Sequence, residues 1–326
     1  MRVTEPLGIA AARTLLPPRR QTAVEAVAAG LIREQDVQWE EWTEVAIGTV
    51  PAISALAAPA ARATLEAAGL APLALDILVY AWTTDQRPEA ITPANRLARL
   101  VGADRALAYG IQQMCNGGAA GLHTSVGLLL TEPRVDSALV VAADVFSGLP
   151  YDRWTGSRGT LLGDGAAAAC LVRGPAPLAL RSIATASVNA AEDVFPGYDP
   201  FGALDPAADH KPPAWPRDLL VLIRNCVRGV VRDALDDAGL APDDSRIHLV
   251  SGARLGRTLT RALLRPGFPP GLPPLTRLGT RTGHLGAGDL LANLAHCEQA
   301  LPPGRFAVLA TIGAGFNATC LVVEAV

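Results

Sequence analysis

Lysine is nearly missing from this 326-residue chain: Lys211 is the only one among 28 lysines and arginines. Against 31 acidic residues these give a net charge of −3, so there is no basic surplus to bind nucleic acid or an anionic membrane surface. Any phosphate contact falls to arginine. Aromatic residues are only 5% of the chain, and no apolar run approaches the roughly 18–20 uninterrupted residues that a membrane span needs. The chain does not open on the basic segment and apolar core of a signal peptide. The five cysteines (Cys115, Cys170, Cys226, Cys297, Cys320) are odd in number, scattered and free of any CxxC pair, which argues against a disulfide framework or a zinc site. The expectation is a cytoplasmic protein without metal.

Half of the residues are apolar, and the length suffices for two domains or two fused halves. The organising stretch is Gly110–Leu130, GIQQMCNGGAAGLHTSVGLLL. Cys115 stands between an extended run (Leu107–Gln113) and a small-residue helix (Asn116–Leu130). A thiol at a helix N-terminus feels the positive end of the dipole, which favours thiolate. Gly117 and Gly118 let the first turn pack closely against neighbouring backbone. A free cysteine can equally be a small buried apolar residue, and this stretch alone leaves both readings open.

Residues 1–51 show little periodicity and carry an acidic, tryptophan-bearing patch (Trp39, Glu40, Glu41, Trp42). Beyond them a helix over Ala57–Ala68 should end at Gly69, a favoured residue past a helix C-terminus, with Pro72 blocking continuation. A buried strand follows in LDILVYAW. A short helix over Thr92–Val101 has Thr92 as N-cap and Pro93 in the first turn, and SALVVAA (Ser137–Ala143) is a further strand.

The second half repeats this plan. A helix over Asn225–Asp237 ends in a second AGLAP at Ala238–Pro242, offset by 170 from Ala68–Pro72, and RIHLVSG matches DILVYAW at the same offset. The helix opened by His284 and the strand FAVLATI match the Cys115 helix and SALVVAA at 169; GDGAAAACLV (Gly163–Val172) matches GAGFNATCLV (Gly313–Val322) at 150. The drop assigns an insertion to the first half, Asp144–Leu162. The expected organisation is therefore α/β in two pseudo-symmetric halves, 1–175 carrying Cys115 and 176–326 carrying His284. Ligands in such folds gather where strands end and helices begin, and the repeat sets Cys115 and His284 at equivalent helix starts. That makes Cys115 a nucleophile candidate and His284 its base.

Asp289 lies five residues after His284, about 140° away on a continuous helix. It reaches the imidazole only if His284 is still in the loop and Asp289 begins the helix; its other reading is a plain N-cap. Gly313, Ala314 and Gly315 offer unhindered backbone N–H groups for an oxyanion hole together with that of Cys115. Asp164 reads as structural, bracing the core between the halves. Arg158 is a candidate phosphate contact or an ordinary surface arginine. His123 and His296 read as packing residues, His248 belongs to an interior strand, and His210 lies in a proline-rich loop, either channel cover or plain surface.

With these residues in place, the chain resembles the thiolase-fold ketosynthases, specifically the ketoacyl-ACP synthase III group. The resemblance rests on the cysteine at a helix start in a small-residue run, SALVVAAD, RGT followed by GDGAAA, AGL before a strand, and the terminal GAGF loop. It implies a duplicated five-layer αβαβα fold, a homodimer, and acyl transfer from CoA or a phosphopantetheinyl acyl carrier protein to the cysteine with no permanently bound cofactor. Condensing members carry a Cys–His–Asn site. Their histidine, in a PHQAN-like motif, falls in SGARLG (Ser251–Gly256), which has none; their asparagine, in a GNTSA-like motif, falls on His284. An enolate needs hydrogen-bond donors, whereas transfer to a hydroxyl or amine needs a base. The pattern therefore resembles the ketosynthase III-like acyltransferases and starter-unit enzymes of secondary metabolism, with Cys115 as acyl carrier, His284 as base and Asp289 orienting it. The family's arginine-rich CoA motif is not recognisable after Trp42, where the chain reads TEVAIGTVP, so a carrier protein stands beside CoA as the expected donor; Trp42 and Arg158 are candidate contacts to CoA or phosphopantetheine. A decarboxylative condensing enzyme and a non-catalytic ketosynthase partner subunit are the alternatives.

Overall fold

The computed structural model describes residues 1–49, 51–86, 89–147, 152–155, 159–194 and 216–326. In chain order, β1 (Leu7–Leu15) leads through β2 (Arg20–Thr22), α1 (Ala23–Ala28), α2 (Glu34–Glu40) and β3 (Glu44–Ala46) to α3 (Ala58–Ala67). Next come β4 (Ile77–Ala81), α4 (Pro93–Val101), β5 (Leu107–Ile111), α5 (Gly117–Thr131), β6 (Ser137–Asp144) and β7 (Gly165–Arg173). The remainder is β8 (Leu178–Ser187), α6 (Arg217–Ala238), β9 (Ile247–Ser251), α7 (Arg257–Leu259), β10 (Leu275–Thr276), α8 (Asp289–Ala300), β11 (Phe306–Gly313) and β12 (Asn317–Ala325).

The hydrogen-bonded strand order is β10-β9-β11-β12-β8-β1-β7-β6-β4-β5. It is two five-stranded runs of the same plan. In each, three parallel strands (β5-β4-β6 and β10-β9-β11) are followed by two antiparallel ones (β7-β1 and β12-β8). The runs join where β1 and β8 pair only through Gly8–Ala179 and Ile9–Leu178.

The central strands are apolar on both faces because helices cover both. Ile77, Val79 and Ala81 of β4 pack inward on α5 and α8, while Leu78 and Tyr80 pack outward on α3 and α4. On the other run, Val308 and Ala310 of β11 face α6, and Ala307 and Leu309 face the inner layer. The order of layers is α3/α4, sheet, α5/α8, sheet, α6: the thiolase-like αβαβα architecture. Among the described residues, no helix is long and apolar enough to cross a membrane.

Several local expectations need correction. Residues 1–51 contain β1, one of the most interior strands, whose alanine-rich LGIAAARTL has too little side-chain contrast to show a period. Thr92 precedes α4 but makes no side-chain cap bond. The helix expected over Asn225–Asp237 begins at Arg217. His248 lies on interior strand β9, but its side chain is exposed. The helix expected to open at His284 starts at Asp289, after a tight Gly286–Gly288 turn.

Candidate active site

Cys115 sits in the tight connection between β5 and α5, where Met114 adopts the left-handed conformation at φ 48°. A non-glycine residue there is strained, and such strain collects at functional sites. The turn lifts Cys115 off the strand just before Gly117, the first residue of α5. Gly118 makes the next contact: a Cβ on it would collide with Ala287 O and Leu291 of the opposing half. The starts of α5 and α8 therefore abut, and the sulfur and imidazole meet.

His284 Nε2 lies 2.9 Å from Cys115 Sγ, and His284 Nδ1 lies 2.5 Å from Asp289 Oδ2. The histidine is 3% exposed and the aspartate fully buried. His284 stands in the loop and Asp289 opens α8, so the five-residue spacing closes. Asp289 turns back toward His284, and its Oδ1 accepts the Leu285 N–H at 2.8 Å; it does not cap the residues after it.

First-half residues hold the histidine backbone. His284 N–H donates to Leu161 O at 2.7 Å, and Gly163 N–H donates to His284 O at 2.9 Å. The end of the insertion thus clamps His284, and Gly163 leaves no room for a Cβ beside Thr282 O. Asp144, at the end of β6, supports the turn from below: Oδ2 accepts the Ala287 N–H at 2.9 Å, and Oδ1 accepts from Thr83 and Thr84. Burial pushes Asp144 upward, opposed by those backbone donors.

Burial would lower the proton affinity of His284, but Asp289 and the Cys115 sulfur outweigh it and hold the histidine well above its usual value. For Asp289 burial acts upward, and His284 and then Arg254 draw it below the ordinary carboxylate value. Burial drives Cys170, Cys297 and Cys320 up to about 12 and raises Cys226 as well. Cys115 is the cysteine that carries a histidine partner.

Gly313 lies against the Cys115 turn, since a Cβ there would stand 2.7 Å from Asn116 N and 2.9 Å from Gln113 O. The Gly313, Ala314, Gly315 loop is thereby a direct neighbour of Cys115. In the SGARLG segment, a Cβ on Gly252 would come 2.7 Å from Leu264 Cδ1. A side chain the size of histidine does not fit at that position without repacking.

Other expected residues lie elsewhere. Trp42 is 5% exposed and packs edge-on against Trp154 at 6.4 Å, so it is a core residue of a small satellite cluster and not a displayed contact. The exposed ring of that patch is Trp39, with Arg257 and Arg261 over it at 5.4 and 5.5 Å. Asp164 is structural, but its partners Gly48, Phe146, Ser147 and Arg153 all belong to the first half; it braces the insertion and not the junction of halves. His123 bonds Thr185 at 2.7 Å, and His296 is half-buried on α8. Arg158 and His210 lie outside the described residues. Among the described residues, no group of three or more His, Cys, Asp or Glu side chains could hold a metal.

Residues 109–187, which carry Cys115 and its helix, match the family model of 3-oxoacyl-[acyl-carrier-protein] synthase III. A beta-ketoacyl-[acyl-carrier-protein] synthase III of Roseiflexus castenholzii is 29% identical over 282 residues, covering 83% of both chains. The chain has the thiolase-like fold and is similar in sequence to ketoacyl-acyl-carrier-protein synthase III enzymes. An acetoacetyl CoA synthase, NphT7, of Streptomyces sp. strain CL190 is 37% identical over 126 residues, a match spanning 38% of this chain and only 36% of that protein. Among solved structures, the acyltransferase ChlB3 superposes with a TM-score of 0.86 at 28% identity, covering 98% of each chain.

Two supporting residues escaped sequence reading, Asp144 and Arg254. The only signal for Asp144 is an acid closing an otherwise apolar strand; for Arg254 it is a charged residue in a segment that is apolar or small around it.

Proposed function

We propose that the chain is an acyltransferase that carries an acyl group on Cys115 from a CoA or carrier-protein thioester to a hydroxyl, amine or carrier-thiol acceptor in natural-product biosynthesis. The observation that carries this reading is the continuous Cys115–His284–Asp289 chain, with contacts of 2.9 and 2.5 Å. The thiolate attacks the thioester carbonyl and forms a new C–S bond. Backbone N–H groups at Cys115 and in the Gly313–Gly315 loop would hold the resulting oxyanion. Collapse expels the donor thiol, which takes the imidazolium proton. Neutral His284 then accepts the proton of the acceptor as that acceptor attacks the acyl carbon, and Cys115 leaves as thiolate beside a restored imidazolium.

Decarboxylative condensation generates an enolate, whose stabilisation calls for donors and not for a base with its own carboxylate. SGARLG holds no histidine to serve as a second donor. ChlB3, similar over nearly its full length, is itself described as an acyltransferase. By analogy with its relatives, the protein would work as a cytoplasmic homodimer.

The discriminating experiment supplies separate acyl- and malonyl-thioesters, on CoA and on a carrier protein, with a panel of hydroxyl, amine and thiol acceptors. The reading expects an acylated acceptor and no carbon dioxide above the enzyme-free background. Carbon dioxide released in step with a β-ketoacyl product would replace it with the condensing reading.

A further inference from the structure

Arg254 is an arginine only 7% exposed, in the segment after β9. Its backbone N–H donates at 2.6 Å to Asp289 Oδ2, the oxygen that also faces His284 Nδ1. Its Nε donates to Asn293 Oδ1 at 3.0 Å, and Nη1 to Thr282 Oγ1 at 2.9 Å. Asn293 follows Asp289 by one helical turn, so one face of α8 presents both groups to the arginine. A Cβ on Gly279 would stand 2.6 Å from Arg254 Cβ, which packs the 279–282 loop on the side-chain stem.

Burying a guanidinium is costly unless another charge compensates it, and its two side-chain acceptors here are neutral. Burial lowers the proton affinity of the guanidinium, and the charge that opposes this is Asp289, which the Arg254 backbone N–H holds beside it. The balance extends to the reacting atoms. When Cys115 and His284 share one proton they are neutral together, whether as thiol and imidazole or as thiolate and imidazolium. Asp289 then remains as one buried negative charge, and Arg254 is its counterpart. Without that cation, the buried site restores neutrality by binding one more proton, giving thiol, imidazolium and carboxylate, which has no nucleophile.

We propose that Arg254 is a positioning residue whose buried guanidinium offsets the charge of Asp289 and so permits Cys115 and His284 to hold a single proton between them. This rests on the reading of Cys115 as the nucleophile. Among the described residues, ionisable groups around the dyad include Asp144, which supports the Gly286 turn through Ala287, Glu192 against Gly315 of the glycine loop, and His296 on α8, whose proton affinity burial and then Arg254 lower. Beyond the clamp of His284 by Gly163, Asp164 is neutralised by Arg153.

The test is the pH dependence of Cys115 alkylation by iodoacetamide, read by peptide mass mapping, in the full-length protein and in Arg254→Gln and Arg254→Lys. Arg254→Gln keeps an amide donor at the reach of Nε, toward Asn293, and loses both the charge and the Thr282 contact. Its half-maximal pH is expected to rise by about one to two units, an effect typical of losing a close opposite charge. That makes alkylation about ten- to a hundredfold slower well below the midpoint. Arg254→Lys should stay within about half a unit of the parent. An unmoved midpoint in a folded Arg254→Gln protein, or an equal rise in Arg254→Lys, overturns the proposal. If Arg254→Gln does not fold, Thr282→Val decides with Arg254→Lys: it removes a guanidinium contact and keeps the charge, so a rise there equally overturns it. Alkylation uses no acyl donor. A shifted midpoint with no acyl loading would retain the charge role while ending the transferase reading; acyl loading with an unmoved midpoint would do the reverse.

Discussion

Burial acts to lower the proton affinity of His284, yet Asp289 on one ring nitrogen and the Cys115 sulfur on the other raise it well above the ordinary histidine value. A histidine raised in this way contributes stability that is complete below its unfolded-state value and is lost as pH rises through the folded one. Asp289 is lowered, so its contribution is present above its unfolded-state value and is lost as pH falls through the folded one. The pair therefore stabilises the fold across neutral pH and weakens on both flanks. The Tm difference between the native protein and Asp289→Asn should be largest near neutrality and shrink in acid; a difference that grows in acid would contradict the ionised pair. The same substitution should slow acyl transfer by about a thousandfold or more, because the imidazole loses its orientation and its counter-charge. Transfer within about threefold of native would show that Asp289 is merely structural.

At the level of elements, the site exists because α5 and α8 come close enough for their starts to touch. Gly118 is the contact point, and Gly118→Ala should cost about 1–3 kcal/mol through overpacking against Ala287 and Leu291. Gly127, further along the same helix with open space around it, supplies the control: Gly127→Ala should gain about 0.5–1 kcal/mol from helix propensity. Denaturant unfolding of both variants checks the pair, and equal effects would place the helix contact elsewhere. This juxtaposition was legible because AGLAP, the strands and the glycine loops recur in order, so Cys115 and His284 fell at matching places. Asp289 was half-legible, since its role turned on where α8 begins, which the glycines of Gly286–Gly288 obscure. Strand β1 stayed hidden behind its alanines. Arg254 and Asp144 were invisible for another reason: their partners lie 35 and 143 residues away, beyond any local pattern.

Across the whole molecule, the inner α5/α8 layer draws its core from both five-stranded runs, and the insertion of the first half clamps the histidine of the second. A shared core predicts one cooperative unfolding transition in calorimetry, with van 't Hoff and calorimetric enthalpies equal; two resolved transitions would mean halves that fold apart. The same architecture explains why fold and activity separate in this chain. The layers and strand order are those of the thiolase-like fold, while the meeting of the halves brings together a cysteine, a histidine and an aspartate in one hydrogen-bonded chain. Intact-protein mass spectrometry after incubation with acyl-CoA and acyl-carrier-protein thioesters, followed by peptide mapping, probes that meeting point directly. The account predicts one acyl group per chain, located on Cys115, lost when an acceptor is added and absent in Cys115→Ala; an unmodified protein, or an adduct on another residue, would contradict it.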